Sequence, residues 1–111
     1  MKVLLIFLKE TDYWGPGNVP LHEALVQYLF DEGIAGATVE TAIMGFGAKR
    51  RLHRKGLFGV IDVKPMKITV VDEEAKLREV LPRLREMAPR SLMVCLEGEV
   101  WNEPQTGVST E

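Results

Sequence analysis

Apolar residues in this chain recur with two periods, and the switches between them lay out the elements. Over residues 2–8 both sides of a strand are apolar: Val3, Leu5 and Phe7 face one way, Leu4, Ile6 and Leu8 the other. Such a strand belongs in the middle of a sheet covered on both faces. Residues 10–18 read as a loop, with Gly15, Pro16, Gly17 and Asn18 supplying turn chemistry. Pro20 suits the first position of a helix, and Leu21, Ala24, Leu25, Tyr28 and Leu29 then fall on one helical stripe, with Gly33 as the stop. A second strand is predicted over residues 37–44, with Val39, Thr41 and Ile43 on one side. Pro65 opens a third strand, residues 66–71, and Asp72 is the expected N-cap of a second helix with Glu73 and Glu74 in its first turn. Leu77, Val80, Leu81, Leu84 and Ala88 form that helix's stripe. Pro82 is expected to bend or restart the helix, because its ring displaces a backbone bond. Residues 92–96 make the fourth strand, which can run on toward Trp101.

The order β-α-β-β-α-β predicts an α+β, ferredoxin-like sandwich: a four-stranded antiparallel sheet with both helices on one face. The opposite face of the first strand is apolar too. So is that of the fourth, through Met93 and Cys95 or through Leu92, Val94 and Leu96, according to register. A two-layer domain of this size cannot cover that second face, so another subunit is expected there. Residues 1–101 form the one domain, residues 46–65 a loop inserted in it, and residues 102–111 a polar tail without a core.

Charge adds a local feature to this plan. Lys49, Arg50, Arg51, Arg54 and Lys55 crowd into seven residues, and residues 41–61 contain no Asp or Glu. The chain as a whole carries net charge -2, so everything outside that window sums to −7. A loop of this kind suits an anion, phosphate above all. At 46% hydrophobic and 27% charged, the composition is that of a globular chain. The apolar run of residues 3–8 is too short for a signal-peptide core or a membrane span. The single cysteine, Cys95, is read as a small buried hydrophobe. A cytoplasmic location is expected.

Three stretches together resemble the DUF190 family of PII-like proteins. They are Pro20-Leu21-His22-Glu23-Ala24-Leu25, then Gly33-Ile34-Ala35-Gly36-Ala37-Thr38-Val39, then Ile43-Met44-Gly45-Phe46-Gly47. Leu52-His53-Arg54, Val70-Val71-Asp72 and Leu81-Pro82-Arg83-Leu84 fit as well, so the resemblance spans about residues 2–101. It implies a homotrimer with sheets packed around a threefold axis and an adenine nucleotide in the cleft between subunits. It further implies a flexible loop (the T-loop) through which a partner protein, for example a transporter or channel, is signalled. Carried over, Gly45, Phe46 and Gly47 form the turn at the loop's base, and residues 48–64 the loop. The nucleotide or anion site then comprises Gly45, Phe46, Gly47, Lys49, Arg50, Arg51, His53, Arg54, Arg90 and Thr38. The chemistry agrees: glycine lets the backbone approach a phosphate, and arginines fork onto its oxygens. The chain also departs from PII proper. Ala48-Lys49 stands where Arg-Gln is usual, Met87-Ala88-Pro89-Arg90 replaces a glycine-rich turn, and residues 46–65 contain no tyrosine to accept a uridylyl group.

Plainer readings stand beside these. The basic run can be a solvated loop that favours solubility. His53 suits loop packing and His22 a structural place on the polar side of its helix; with Cys95 they show no metal-ligand spacing. Tyr13 and Trp14 can stack on a base, though packing explains them more simply, and Leu57 and Phe58 look like anchors. Glu10 and Asp12 could pair as carboxylates, but nothing places a general acid beside them. A nucleic-acid module of this fold needs aromatics on its central strands, and the third strand has none. No nucleophile–base pair or Walker-type loop is present, so no enzyme and no required cofactor are expected; weak nucleotide hydrolysis is the remaining catalytic alternative.

Overall fold

The computed structural model describes residues 1–46, 53–54 (backbone only) and 63–102. Its main sheet has four strands: β1 (Lys2–Lys9), β4 (Gly36–Thr41), β7 (Pro65–Asp72) and β8 (Leu92–Glu97). They are ordered β4-β7-β1-β8, and every neighbour is antiparallel. Two helices, α1 (Leu21–Asp31) and α2 (Glu74–Met87), pack on one face. Two short ladders complete the described elements: β2 (Tyr13–Trp14) with β3 (Val19–Pro20), and β5 (Met44–Gly45) with β6 (His53–Arg54). The α+β, ferredoxin-like plan is therefore present, with β1 and β7 as its central strands.

Period-two alternation decides which side chains meet the helices. Leu4, Ile6 and Leu8 of β1 and Met66, Ile68 and Val70 of β7 are buried against Leu21, Leu25 and Leu29 of α1 and Leu77, Val80 and Leu84 of α2. Burial of such side chains supplies the main driving force, roughly 1.5–3 kcal/mol each. The alternate residues form the other face. Register aligns Val3 with Leu96 and Val71, Leu5 with Val94, and Phe7 with Leu92. Phe7, Leu92 and Leu96 on that face are exposed, at 39%, 63% and 48%. The second apolar face expected from the sequence therefore exists, and no described element covers it.

Helix ends follow local chemistry in one case and tertiary chemistry in the other. α1 ends in a Schellman motif. The Gly33 N–H donates to the Phe30 carbonyl, the Ile34 N–H donates to the Leu29 carbonyl, and Gly33 takes φ +75°. For α2, the expected cap is corrected: Glu73 holds that position with no side-chain cap bond, and Asp72 is the last residue of β7. The Asp72 carboxylate, 9% exposed, accepts from the Ala35 N–H at 2.9 Å and the Glu73 N–H at 2.6 Å. It thereby ties the turn after α1 to the start of α2. Pro82 does not restart α2, which runs as one helix through it, with the proline exposed.

Three further expectations change. The strand predicted over 37–44 ends at Thr41, opposite Met66, because the next position on β7 is Pro65, which has no N–H for the ladder. The Ala42 N–H instead donates to the Pro65 carbonyl at 2.8 Å, and Ile43 is 78% exposed. The fourth strand stops at Glu97. Cys95 is exposed although its register opposite Leu4 puts it on the helical side, because β8 is the outer strand.

Replacing Asp72 by Ala leaves the Ala35 and Glu73 N–H groups without that acceptor. The expected cost is about 1–3 kcal/mol in urea denaturation, against a few tenths for Glu73→Ala. Glu74 gives a pH signature. Its hydrogen bond from Arg78 at 2.7 Å, aided by the Lys2 charge, holds its carboxyl below the ordinary 4.5. A lowered carboxyl stabilises the fold fully above its unfolded pKa and loses that contribution as pH falls through the folded value. Acid titration of Glu74→Gln should therefore lack this component of the stability loss below about 4.5.

Candidate functional site

Strand register places the pieces of the predicted site. Lys9 pairs with Pro65, Phe7 with Leu92 and Thr41 with Met66, so the chain from Ala42 to Phe46, the Lys64 backbone, Glu10 and the turn at Arg90 all flank one end of the sheet. At that end the neck of the basic segment is bound on both sides. Met44 and Gly45 pair with Arg54 and His53, so the backbone leaves and returns as an antiparallel pair. The Glu10 N–H donates to the Lys64 carbonyl at 3.1 Å, and the Lys64 N–H donates to the Glu10 carboxylate at 3.3 Å. Asp12 accepts from the Lys9 N–H at 2.9 Å. Glu10 and Asp12 thus serve as loop acceptors, each bonded to backbone.

Gly45 is needed for close approach rather than for an unusual φ. A Cβ there would lie 3.3 Å from Cγ of Pro65, so a larger side chain must push the proline that opens β7. Phe46 follows with an exposed ring, 59% accessible. Thr38 stands elsewhere: it pairs with Thr69 on the open sheet face, three residues and about 10 Å back from the end of β4. Arg90 is exposed in the turn before β8. That turn is fixed by the Ser91 N–H donating to the Ala88 carbonyl and by Arg85 donating to the Ser91 carbonyl, both at 3.2 Å. Gly47, Lys49, Arg50 and Arg51, with Leu57 and Phe58, lie outside the described residues.

The chain leaving β4 and the turn at Arg90 therefore share one end of the sheet but adjoin strands on opposite edges. Three strand spacings, about 14 Å, separate the β4 side from the β8 side. Gly45 itself leans inward from the β4 edge, against Pro65 of β7. Strand order carries this separation of edges, and residue types alone do not.

Other residues find structural roles. Trp14 packs on the core with the Arg83 guanidinium 5.3 Å from its ring centroid, a cation–π contact. Tyr13 is exposed, as is its strand partner's neighbour Val19. Among the described residues, no group of three His, Cys, Asp or Glu side chains could hold a metal ion. None of the described helices is long and apolar enough to cross a membrane.

The DUF190 family model, for an uncharacterized ACR group, matches residues 1–100. The chain belongs to the DUF190 family. A UPF0166 protein of Methanocaldococcus jannaschii is 32% identical over 95 residues, covering 86% of this chain and 85% of that protein. A UPF0166 protein of Aquifex aeolicus is 29% identical over 84 residues, covering 76% and 78%. Among solved structures, this DUF190 chain is similar to CutA1 from Pyrococcus horikoshii, with TM-score 0.61, 19% identity and coverage of 93% and 88%. It is also similar to a protein designated PII-like from Thermus thermophilus, with TM-score 0.53, 20% identity and coverage of 85% and 80%. CPII, a nitrogen regulatory PII-like protein from Thiomonas intermedia solved with ADP, AMP and bicarbonate, aligns at TM-score 0.49 and 20% identity over 85% and 81%. At that score positions do not correspond one to one, so those ligands are described for CPII alone. The fold of this DUF190 chain is thus PII/CutA-like.

The neck gives a direct check. Gly45→Val drives a branched side chain into Pro65, and the expected loss is about 1–3 kcal/mol in thermal or urea unfolding. Gly15→Ala, strained by its φ of +75° but with nothing within 4 Å, should cost about 1–2 kcal/mol through the backbone alone and leave the neck intact.

Proposed function

We propose that this chain is a regulatory binding module rather than an enzyme. In this reading it assembles as a homotrimer and takes an anionic ligand, an adenine nucleotide, between adjacent subunits. The observation that supports the reading is that the basic segment follows β4 along the chain while Arg90 precedes β8, and these strands form opposite edges of the sheet. The Gly45 turn leads into the acid-free basic segment on the β4 side, and Arg90 stands on the β8 side of the same end. In the proposed assembly a phosphorylated ligand engages both, one from each of two adjacent protomers.

The open apolar face supports the assembly. Val3, Leu5, Phe7, Val71, Leu92, Val94 and Leu96 form a contiguous patch, and burying such a patch against other copies favours association. Likeness of fold to the PII-like protein of Thermus thermophilus supports a signalling role. In the bound state Arg50, Arg51 and Arg54 fork onto phosphate oxygens, and ligand binding orders the basic segment. A partner protein then reads that ordered state. The ligand drives the change only through its better affinity for the ordered form.

Light scattering should give three times the 12.5 kDa chain mass. Calorimetry with ATP, ADP, AMP and cyclic nucleotides should give saturable binding. Arg50→Ala with Arg51→Ala should weaken it by about tenfold or more while the mass stays threefold, because two charge-assisted contacts are lost. No heat from any of these nucleotides at high micromolar concentration would remove the nucleotide from the proposal.

A further inference from the structure

The chain rejoins the sheet after the basic segment at Lys64, and Glu10 holds that residue at two points. Its N–H donates to the Lys64 carbonyl at 3.1 Å, which carries the β1–β7 ladder one residue past the Lys9–Pro65 pair. In a continued antiparallel ladder the Lys64 N–H would then donate to the Glu10 carbonyl. The chain turns away at that point instead, with the Asp12 N–H donating to the Lys9 carbonyl at 3.1 Å. The Glu10 carboxylate supplies the missing oxygen and accepts the Lys64 N–H at 3.3 Å. Two bonds between the same two residues fix both where the returning chain lies and how it is turned. Pro65 adds to this, because the residue before a proline is confined to extended backbone.

Glu10 stands on a firm support. The Asp12 carboxylate accepts from the Lys9 N–H at 2.9 Å, and its carbonyl accepts from the Leu21 N–H at 2.8 Å, so the loop is tied to β1 and to the first residue of α1. Trp14 packs on the core beneath the Arg83 guanidinium of α2, and Arg83 is held in turn by Glu86 at 2.7 Å. The carboxylate that meets Lys64 is thus mounted on three elements of the protomer. Beside it the exit of the segment is held by the Ala42 N–H on the Pro65 carbonyl, a bond of backbone to backbone. The Lys64 N–H depends on a side chain.

We propose that Glu10 is a positioning residue for the anion site. Its carboxylate fixes the return of the basic segment before a ligand arrives, and so lowers the ordering cost that binding must meet. It acts through the Lys64 backbone and as a hydrogen-bond acceptor. Its negative charge works against a nearby anion, so the acceptor and the charge pull in opposite directions. The proposal rests on the binding role given above and adds to it a residue, outside the cationic set, that tunes the affinity.

Glu10→Gln keeps an oxygen for the Lys64 N–H and removes the charge, whereas Glu10→Ala removes both. In calorimetry with ADP and with inorganic pyrophosphate, Glu10→Ala should raise Kd about three- to tenfold, and Glu10→Gln should bind as tightly as the parent chain or more so. Hydrogen exchange supplies a readout that needs no ligand. The Lys64 amide should exchange about tenfold faster in Glu10→Ala and at the parental rate in Glu10→Gln, with the Leu25 and Ile68 amides unchanged in both. Parental affinity in Glu10→Ala, or a loss in Glu10→Gln as large as that in Glu10→Ala, overturns the positioning role and leaves the binding role standing. A parent chain that takes up neither ADP nor pyrophosphate overturns both. Should Glu10→Ala fail to fold, Glu10→Met, which keeps the length without an oxygen, takes its place under the same criteria.

Discussion

A four-stranded sheet has two faces, and two helices cover one of them. That constraint governs this molecule because β1, held between β7 and β8, is apolar on both sides. Leu4, Ile6 and Leu8 find their partners in α1 and α2. Val3, Leu5 and Phe7 find none among the described elements and continue into Leu92, Val94 and Leu96 across the register. The hydrophobic effect that folds the protomer is therefore only half used by it, and the same driving force favours further copies. The proposed assembly makes use of that open face.

Much of the architecture was legible because hydrophobic periods report which face is covered. The stripe through Leu21, Leu25 and Leu29 and the alternation in β1 and β7 need no tertiary knowledge. Gly33 was equally readable, since the Schellman geometry demands a positive φ that glycine adopts without strain. Failures arise where long-range partners override local chemistry. Asp72 has the composition of a helix cap, but its carboxylate is claimed by the Ala35 N–H, 37 residues away in sequence. Cys95 has an apolar context but lies on the outer strand, where the helices no longer reach.

Of the candidate site, the sequence offers residue types but not their layout. Concentrated positive charge after Gly45 is a property of composition, whereas the placing of β4 and β8, which adjoin the basic segment and Arg90 in the chain, on opposite edges follows only from the strand order β4-β7-β1-β8. The two-residue ladder joining Met44 and Gly45 to Arg54 and His53 is too short to produce a period. Thr38, grouped with the turn by resemblance, proves to be a face residue opposite Thr69. His22 reads as a bland helix residue, and no sequence signal announces that its Nδ1 is buried without a partner.

Pro65 has an evolutionary corollary. By ending the ladder on β7 it makes the chain part from the sheet at a fixed point, which the Ala42–Pro65 and Glu10–Lys64 hydrogen bonds then fasten shut. The core around Leu25, Ile68 and Leu84 is built from residues on the far side of those fastenings. Doubling a closed segment costs only about 0.6 kcal/mol of chain entropy. Length and charge between those fastenings can thus diversify among descendants of this scaffold at almost no thermodynamic penalty to the scaffold itself.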